Sequence, residues 1–331
     1  MKHSMRLLKN LQYPSGLFAA ASKTVKTGYN KAWLRDNIYA SLGLEAVQDE
    51  DGLKRTYHAL LDVLKKHEYK IEWMVKQPHP KVAWRYIHAR YNPETFEEFV
   101  EDWGNKQNDA VGAILFKIGD LTTKGVEILR DENDVRILQL LVNYVAAIEY
   151  WHDADNGMWE ENEEVHASSI GACVAGLMAV KDIVEVPEWL IEKGRLALNA
   201  LLPRESKTKF VDLALLSLIY PYNIVTEWQR DEILKNVELF LVRERGVCRY
   251  IGDEYYNDCG EAEWTMGFAW LAVIYLMLGN KHKYRHYLEK VRSVQTRDGA
   301  LPELYFARSE RYNENTPLAW AMSLMVVAEN G

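Results

Sequence analysis

The segment Asp155-Asn156-Gly157-Met158-Trp159-Glu160-Glu161-Asn162 puts one tryptophan beside two adjacent carboxylates on a turn. These side chains suit the opening of a glycosidic bond. An indole face supports the apolar face of a pyranose ring, and carboxyl groups move protons or stabilise positive charge at the anomeric carbon. A second acid lies far downstream, in Leu301-Pro302-Glu303-Leu304. If Glu160 and Glu303 face one pocket, they form an acid–base pair.

Other segments follow a similar recipe and carry two readings each. In Trp33-Leu34-Arg35-Asp36-Asn37, Asp36 suits a helix cap and Arg35 a surface ion pair. Equally, the two suit a clasp on sugar hydroxyls, because vicinal diols match a carboxylate's acceptors or a guanidinium's fork. Trp103-Gly104-Asn105-Lys106-Gln107-Asn108-Asp109 again joins an aromatic, a turn glycine, amides and an acid, and Asp109 also suits a cap. A third version, Arg249-Tyr250-Ile251-Gly252-Asp253-Glu254-Tyr255-Tyr256-Asn257, runs on to Glu263-Trp264, where the next helix is expected to have begun. Glu163 and Glu164 read better as a solvated helix start, where carboxylates are favoured.

Familiar metal and nucleophile templates fail. Asp153-Ala154-Asp155 with Glu164 lacks the glycine and the ligand of a calcium loop, having Met158 and Gly157 in their places. There is no HExxH, GxSxG, P-loop or GxGxxG. His282 and His286 sit on a basic, exposed helix, and His152 and His166 read as structural. Neither a metal nor a cofactor is expected.

Nearly every periodic segment is helical, with apolar residues three and four apart. Helices are expected near 36–48, 52–67, 107–119, 132–151, 166–183, 188–201, 209–219, 227–243, 261–279, 282–294 and 316–329, with residues 3–12 as a twelfth. The polar, aromatic-rich loops precede alternate helices: Tyr29 to Asp36, Trp103 to Asp109, Asp155 to His166, Arg249 to Glu263 and Glu303 to Asn315. A plainer loop precedes 209–219. In a closed ring of helical hairpins all inner helices run the same way, so the loops before them gather at one end. The expected fold is therefore an all-α (α/α)6 toroid forming a single domain over 1–331. A solenoid would show a fixed repeat, which is absent.

Composition agrees with an ordinary globular chain: 331 residues, 48% hydrophobic and 27% charged. The net charge of −8 argues against nucleic acid or an anionic membrane as the main partner. Most of the eleven Trp and nineteen Tyr belong in a core, but Trp33, Trp103, Trp159, Tyr255 and Tyr256 stand in polar loops. Three cysteines without a CxxC suit a reducing compartment, and the N-terminus has no signal-like apolar run. A cytoplasmic location is expected.

Taken in order, these motifs resemble family 15 of the glycoside hydrolases, the glucoamylase-type exo-acting α-glucosidases, which have the phosphorylase kinase α and β subunits as relatives. The likeness runs from Ser15-Gly16-Leu17-Phe18-Ala19-Ala20-Ala21-Ser22 to Trp320. The resemblance implies an (α/α)6 barrel that cleaves α-glucosidic bonds with inversion. It implies Glu160 as general acid and Glu303 as general base, with Tyr29, Trp33, Arg35, Asp36, Trp103, Gln107, Asp109, Trp159, Glu161, Arg249, Tyr255, Trp264 and Trp320 binding substrate. An inverting pair stands roughly 6.5–9.5 Å apart, leaving room for water. Packing against Trp159 and the charge of Glu161 are both expected to raise the pKa of Glu160. Pro302 fixes the entry to Glu303.

No starch-binding domain or N-terminal β-sandwich is recognised, so soluble oligosaccharides are the expected substrates. The family also suggests trehalose or α-1,6-linked glucans. The kinase-subunit relatives suggest a regulatory, sugar-binding module instead, and another (α/α)6 enzyme such as a lyase is a third reading. No oligomeric state is implied.

Overall fold

Helices dominate because apolar residues recur on one or more helical faces, with few β-favouring runs between them. The computed structural model describes residues 3–99, 101 and 103–331. Among these are α1 (His3–Asn10), α2 (Leu34–Ala46), α3 (Glu50–Lys66), α4 (Glu68–Lys76), α5 (Asn108–Thr123) and α6 (Glu132–Ala147). There follow α7 (Ala167–Val180), α8 (Glu188–Leu201), α9 (Glu227–Phe240), α10 (Thr265–Met277), α11 (Lys281–Ser293) and α12 (Ala319–Asn330). Short 3-10 helices occupy Ala83–Arg85 and Leu213–Leu218.

The inner ring is α2, α5, α7, the 213–218 helix, α10 and α12, each packed on the next, and α12 returns to α2. Each has an outer partner: α3 on α2, α6 on α5, α8 on α7, α9 on the 213–218 helix, α11 on α10 and α1 on α12. This is a closed (α/α)6 toroid. Sequence separates the two layers. Inner helix α10 is apolar nearly all round and buries every residue from Thr265 to Tyr275. Outer helix α11 buries only Tyr287, Leu288 and Val291, about 1.5–3 kcal/mol each.

The two layers also begin differently. Outer helices α3, α6, α9 and α11 are capped by their own Asp49, Asp131, Thr226 and Asn280. The N-cap residues of inner helices α2, α5, α7, α10 and α12 make no side-chain cap. A donor at each inner start instead reaches the loop that precedes the next inner helix. The links are Leu34 N to Ala89 O, Asn108 N to the Asp155 carboxylate, Ala167 N to Glu205 O and Leu213 N to Arg249 O. Thr265 N to Glu303 O and Ala319 N to Ala20 O complete the circuit. Six hydrogen bonds thus run once around the ring.

Several boundaries differ from expectation. The segment 209–219 folds as the 3-10 helix 213–218, and the helix expected to reach 151 stops at Ala147, with Glu149 at φ +56°. Helix α4 was not expected; its buried positions are few, Lys70, Ile71 and Met74. Glu263-Trp264 is not the start of a helix. It is a two-residue strand (β3) paired antiparallel with Leu304–Tyr305 (β4), a tertiary partner that overrides local helical periodicity. Ala32–Trp33 (β1) pairs likewise with Arg90–Tyr91 (β2).

Candidate active site

Where the inner helices begin, their preceding loops enclose one narrow cavity. Tyr29, Trp33, Arg35, Asp36, Trp159, Glu160, Arg249, Tyr255, Trp264, Glu303 and Trp320 line it, together with Ala20, Met158, Met266 and Leu318. The short ladders seat two of its walls, since Trp33 pairs with Arg90 and Trp264 with Leu304.

The turn bearing Glu160 is built on buried polar contacts. Asp155 and Glu164 bridge its ends through two backbone hydrogen bonds of 2.9 Å. The Asp155 carboxylate accepts from Asn108 N and Ser169 Oγ, both at 2.8 Å, and stands 3.0 Å from His166 Nδ1. Burial alone would lower the pKa of His166, but Asp155 pushes it up to about 9. Gly157 takes φ +63°, and a Cβ there would stand 2.9 Å from the His166 ring. Glu160 itself takes φ +63°, a conformation costly for a side-chain-bearing residue and concentrated at functional sites.

Arg35 joins the acid to a buried layer behind it. Its Nη2 donates to Glu160 Oε1 at 3.3 Å, and Nη1 to Gln107 Oε1 at 2.8 Å and Asp109 Oδ2 at 3.1 Å. Burial raises the pKa of Glu160 to about 7; Asp36 adds to the rise, while Arg35 and Gln107 oppose it. Asp36 is pushed up to about 6, by burial first and by Asp109, against the pull of Arg35.

Glu303 has a different setting. Its Oε2 accepts from the Asn313 amide and from Asn315 Nδ2 at 2.8 Å, and Thr27 Oγ1 donates to Asn315 Oδ1 at 2.5 Å. Burial raises its pKa, and the Tyr29 hydroxyl and the two amides work against that rise. Burial raises the pKa of Tyr29, and the nearby Glu303 and Glu160 both add to that rise; its hydroxyl meets that of Tyr255 at 3.1 Å.

Four residues expected to bind substrate do not line the cavity. Gln107 and Asp109 lie behind Arg35 and hold it; Asp109 is in the first turn of α5 rather than at its cap, as Asp36 is in α2. Trp103 packs edge-on against Trp33 at 6.1 Å, with Arg90 stacked on both rings. Glu161 turns away to Arg249 Nη2 and Lys209 Nζ, both at 2.9 Å, and lines a neighbouring cleft of about 410 Å³. Burial would raise its pKa, but those two cations outweigh burial and lower it. The like charge beside Glu160 is therefore Asp36, and not Glu161 as expected.

Sequence reasoning missed Ala20, Met158, Met266 and Leu318 as lining residues, although Ala20 and Met158 lie within quoted motifs and Met266 and Leu318 stand two residues from Trp264 and Trp320. It also missed Asn313, Asn315 and Asp212. The alternation Asn313, Asn315 after Glu303 was a usable signal; Asp212, inside the segment read as a helix over 209–219, offered none.

Five polar atoms of cavity residues have no hydrogen-bond partner among the described residues: Trp33 Nε1, Arg35 Nε, Trp264 Nε1, Trp320 Nε1 and Glu303 Oε1. Four are donors and one is an acceptor, all of them buried. Among the described residues no cluster of three His, Cys, Asp or Glu is arranged to hold a metal ion, and no helix is long and apolar enough to cross a membrane.

The model of the family described as Glycosyl hydrolases family 15 matches residues 1–330. The phosphorylase b kinase regulatory subunit alpha (skeletal muscle isoform) of Oryctolagus cuniculus is 28% identical over 344 residues, covering 86% of this chain and 28% of that subunit. The chain thus spans just over a quarter of the length of that relative. Among solved structures, a glycosidase variant in complex with glucose superposes with a TM-score of 0.83 at 20% identity, covering 98% of this chain and 94% of the other. A bacterial glucoamylase complexed with acarbose gives a TM-score of 0.75 at 16% identity, covering 99% and 54%. These two likenesses establish the shared fold.

Proposed function

Because the chain belongs to glycosyl hydrolase family 15, we propose that it is an inverting, exo-acting glycosidase that releases glucose from the non-reducing end of soluble α-glucan oligosaccharides. The observation that carries this reading is the unlike treatment of two carboxyls lining one cavity. Glu160, raised to about 7, keeps a proton to give to the glycosidic oxygen near neutral pH. Glu303 has amide donors on Oε2, while Oε1 is without a partner and suited to take a proton from water. Arg35 and Asp36 offer a fork and an acceptor to hydroxyls of the terminal ring, and the Trp33, Trp159, Trp264 and Trp320 indoles supply its apolar walls. Ala20, Met266 and Leu318 add small or apolar surface to the same lining. The closed helical ring supports reading 1–331 as one catalytic domain, and three unpaired cysteines suit a reducing, cytoplasmic compartment.

NMR of maltose, maltotriose, isomaltose, nigerose and trehalose incubated with the chain tests linkage and stereochemistry together. With maltotriose, glucose appearing first as the β-anomer is the expected result and first appearance as the α-anomer would sink the mechanism, whereas trehalose, if cleaved, should give equal α- and β-glucose. A second reading follows from the kinase regulatory subunit similarity: a sugar-binding module without turnover. It predicts saturable oligosaccharide binding with no glucose released.

A further inference from the structure

Asp212 is wholly buried, lies 53 residues from the acid-bearing turn, and has no part in the acid–base chemistry above. Its Oδ1 accepts the Trp159 indole N–H at 2.7 Å and the Ala214 N–H at 2.7 Å. Three residues earlier, Lys209 Nζ bonds Glu161 Oε2 at 2.9 Å and stands 3.9 Å from Asp212 Oδ2. The two neighbours of Glu160 in the chain are therefore both held from one short segment, Trp159 by Asp212 and Glu161 by Lys209. Between them Glu160 sits at φ +63°, a conformation that persists only when its surroundings enforce it. An indole N–H on a buried carboxylate is a charge-assisted bond with a fixed direction, and Trp159 is further packed between Trp264 at 5.7 Å and Trp320 at 6.4 Å.

We propose that Lys209 and Asp212 form a clamp on the acid-bearing turn, with Asp212 as a positioning residue that aims Glu160 by holding the Trp159 indole. This rests on the reading of Glu160 as the general acid. The clamp touches no substrate. It fixes the backbone on both sides of a strained residue, so that the carboxyl meets the leaving oxygen without first paying to be ordered.

A double-mutant cycle on kcat tests it, using Trp159→Phe, Asp212→Ala and both together. Each single change is expected to lower kcat by roughly ten- to a hundredfold with a smaller effect on KM, and the double change to be no worse than the poorer single. Both are also expected to move the alkaline limb of the kcat profile to lower pH, because a loosened turn admits water around Glu160. Additive losses, or wild-type kcat and pH profile in folded Trp159→Phe, overturn the clamp. Should Asp212→Ala not fold, Asp212→Ser takes its place, since Ser also caps a helix but its shorter side chain falls short of the Trp159 indole. The link also has a readout apart from catalysis: the Trp159 indole N–H should exchange slowly with solvent in the wild-type chain and faster in Asp212→Ser. Equal exchange rates overturn the clamp even in a chain that hydrolyses nothing, whereas failure to release glucose counts against the proposed function alone.

Discussion

Arg35 donates to Glu160 with one terminal nitrogen, at 3.3 Å, while its other nitrogen is occupied by Asp109 and Gln107. The cation that would hold Glu160 ionised is thus shared with a second carboxylate. Asp109→Asn releases the full charge of Arg35 onto Glu160 and lowers its pKa. The alkaline limb of kcat/KM should move to lower pH, and Asp36→Asn should move it the same way by removing a like charge. An unmoved limb in both variants would show that another group sets it.

Glu160→Gln and Glu303→Gln should each cut turnover of the preferred oligosaccharide by about 10²–10⁴-fold while leaving binding measurable by calorimetry. Turnover within a fewfold of wild type in either variant removes that residue from the pair.

Glu160→Gln should also change stability with a definite sign. The folded-state pKa of about 7 lies above the ordinary 4.5, so the stability contributed by protonated Glu160 is complete below about 4.5 and lost as pH rises through 7. A permanently neutral glutamine avoids that loss. Relative to wild type, the variant should gain on the order of 2–3 kcal/mol between pH 5 and pH 9, read by denaturant unfolding.

Asn315→Leu removes an amide donor from Glu303 and the acceptor of Thr27. With less to stabilise its ionised form, Glu303 should titrate higher, and the acidic limb of kcat/KM should shift to higher pH. A shift toward lower pH contradicts the assigned role of the amides.

Two glycine substitutions should separate function from stability. Gly157→Ala meets both a left-handed φ of +63° and the His166 ring, so it should distort the acid-bearing turn and reduce kcat along with Tm. Gly112→Ala would overlap the Ala172 and Cys173 backbone where α5 crosses α7. It should cost about 1–3 kcal/mol by thermal melting, with the kcat of the surviving folded enzyme little changed.

Helical spacing made the ring legible, because its inner and outer layers need different apolar patterns and the rich loops alternate with plain ones. The 213–218 helix was misread because its start is decided by Asp212 and Arg249, neither of which alters local periodicity. At the site, the resemblance carried by the ordered motifs was enough to collect eleven cavity-lining side chains. Direction was not readable. Glu161 and Asp109 turn away from the cavity because Arg249, Lys209 and Arg35 claim them, and those partners are distant in the chain. For the same reason the Trp159–Asp212 bond left no local trace.

The six hydrogen bonds linking each inner helix to the loop before the next act as a hoop around the mouth of the toroid. In a hoop no segment settles alone: displacing one start disturbs the loop it holds and, through that loop, the following helix. The loop carrying Glu303 is fastened by Thr265, and the last helix, through Ala319, to the loop carrying Ala20. Rigidity at the rim is therefore a collective property, acquired when the final link closes, and the entropy of arranging two distant carboxyls is lost during folding, before any ligand arrives.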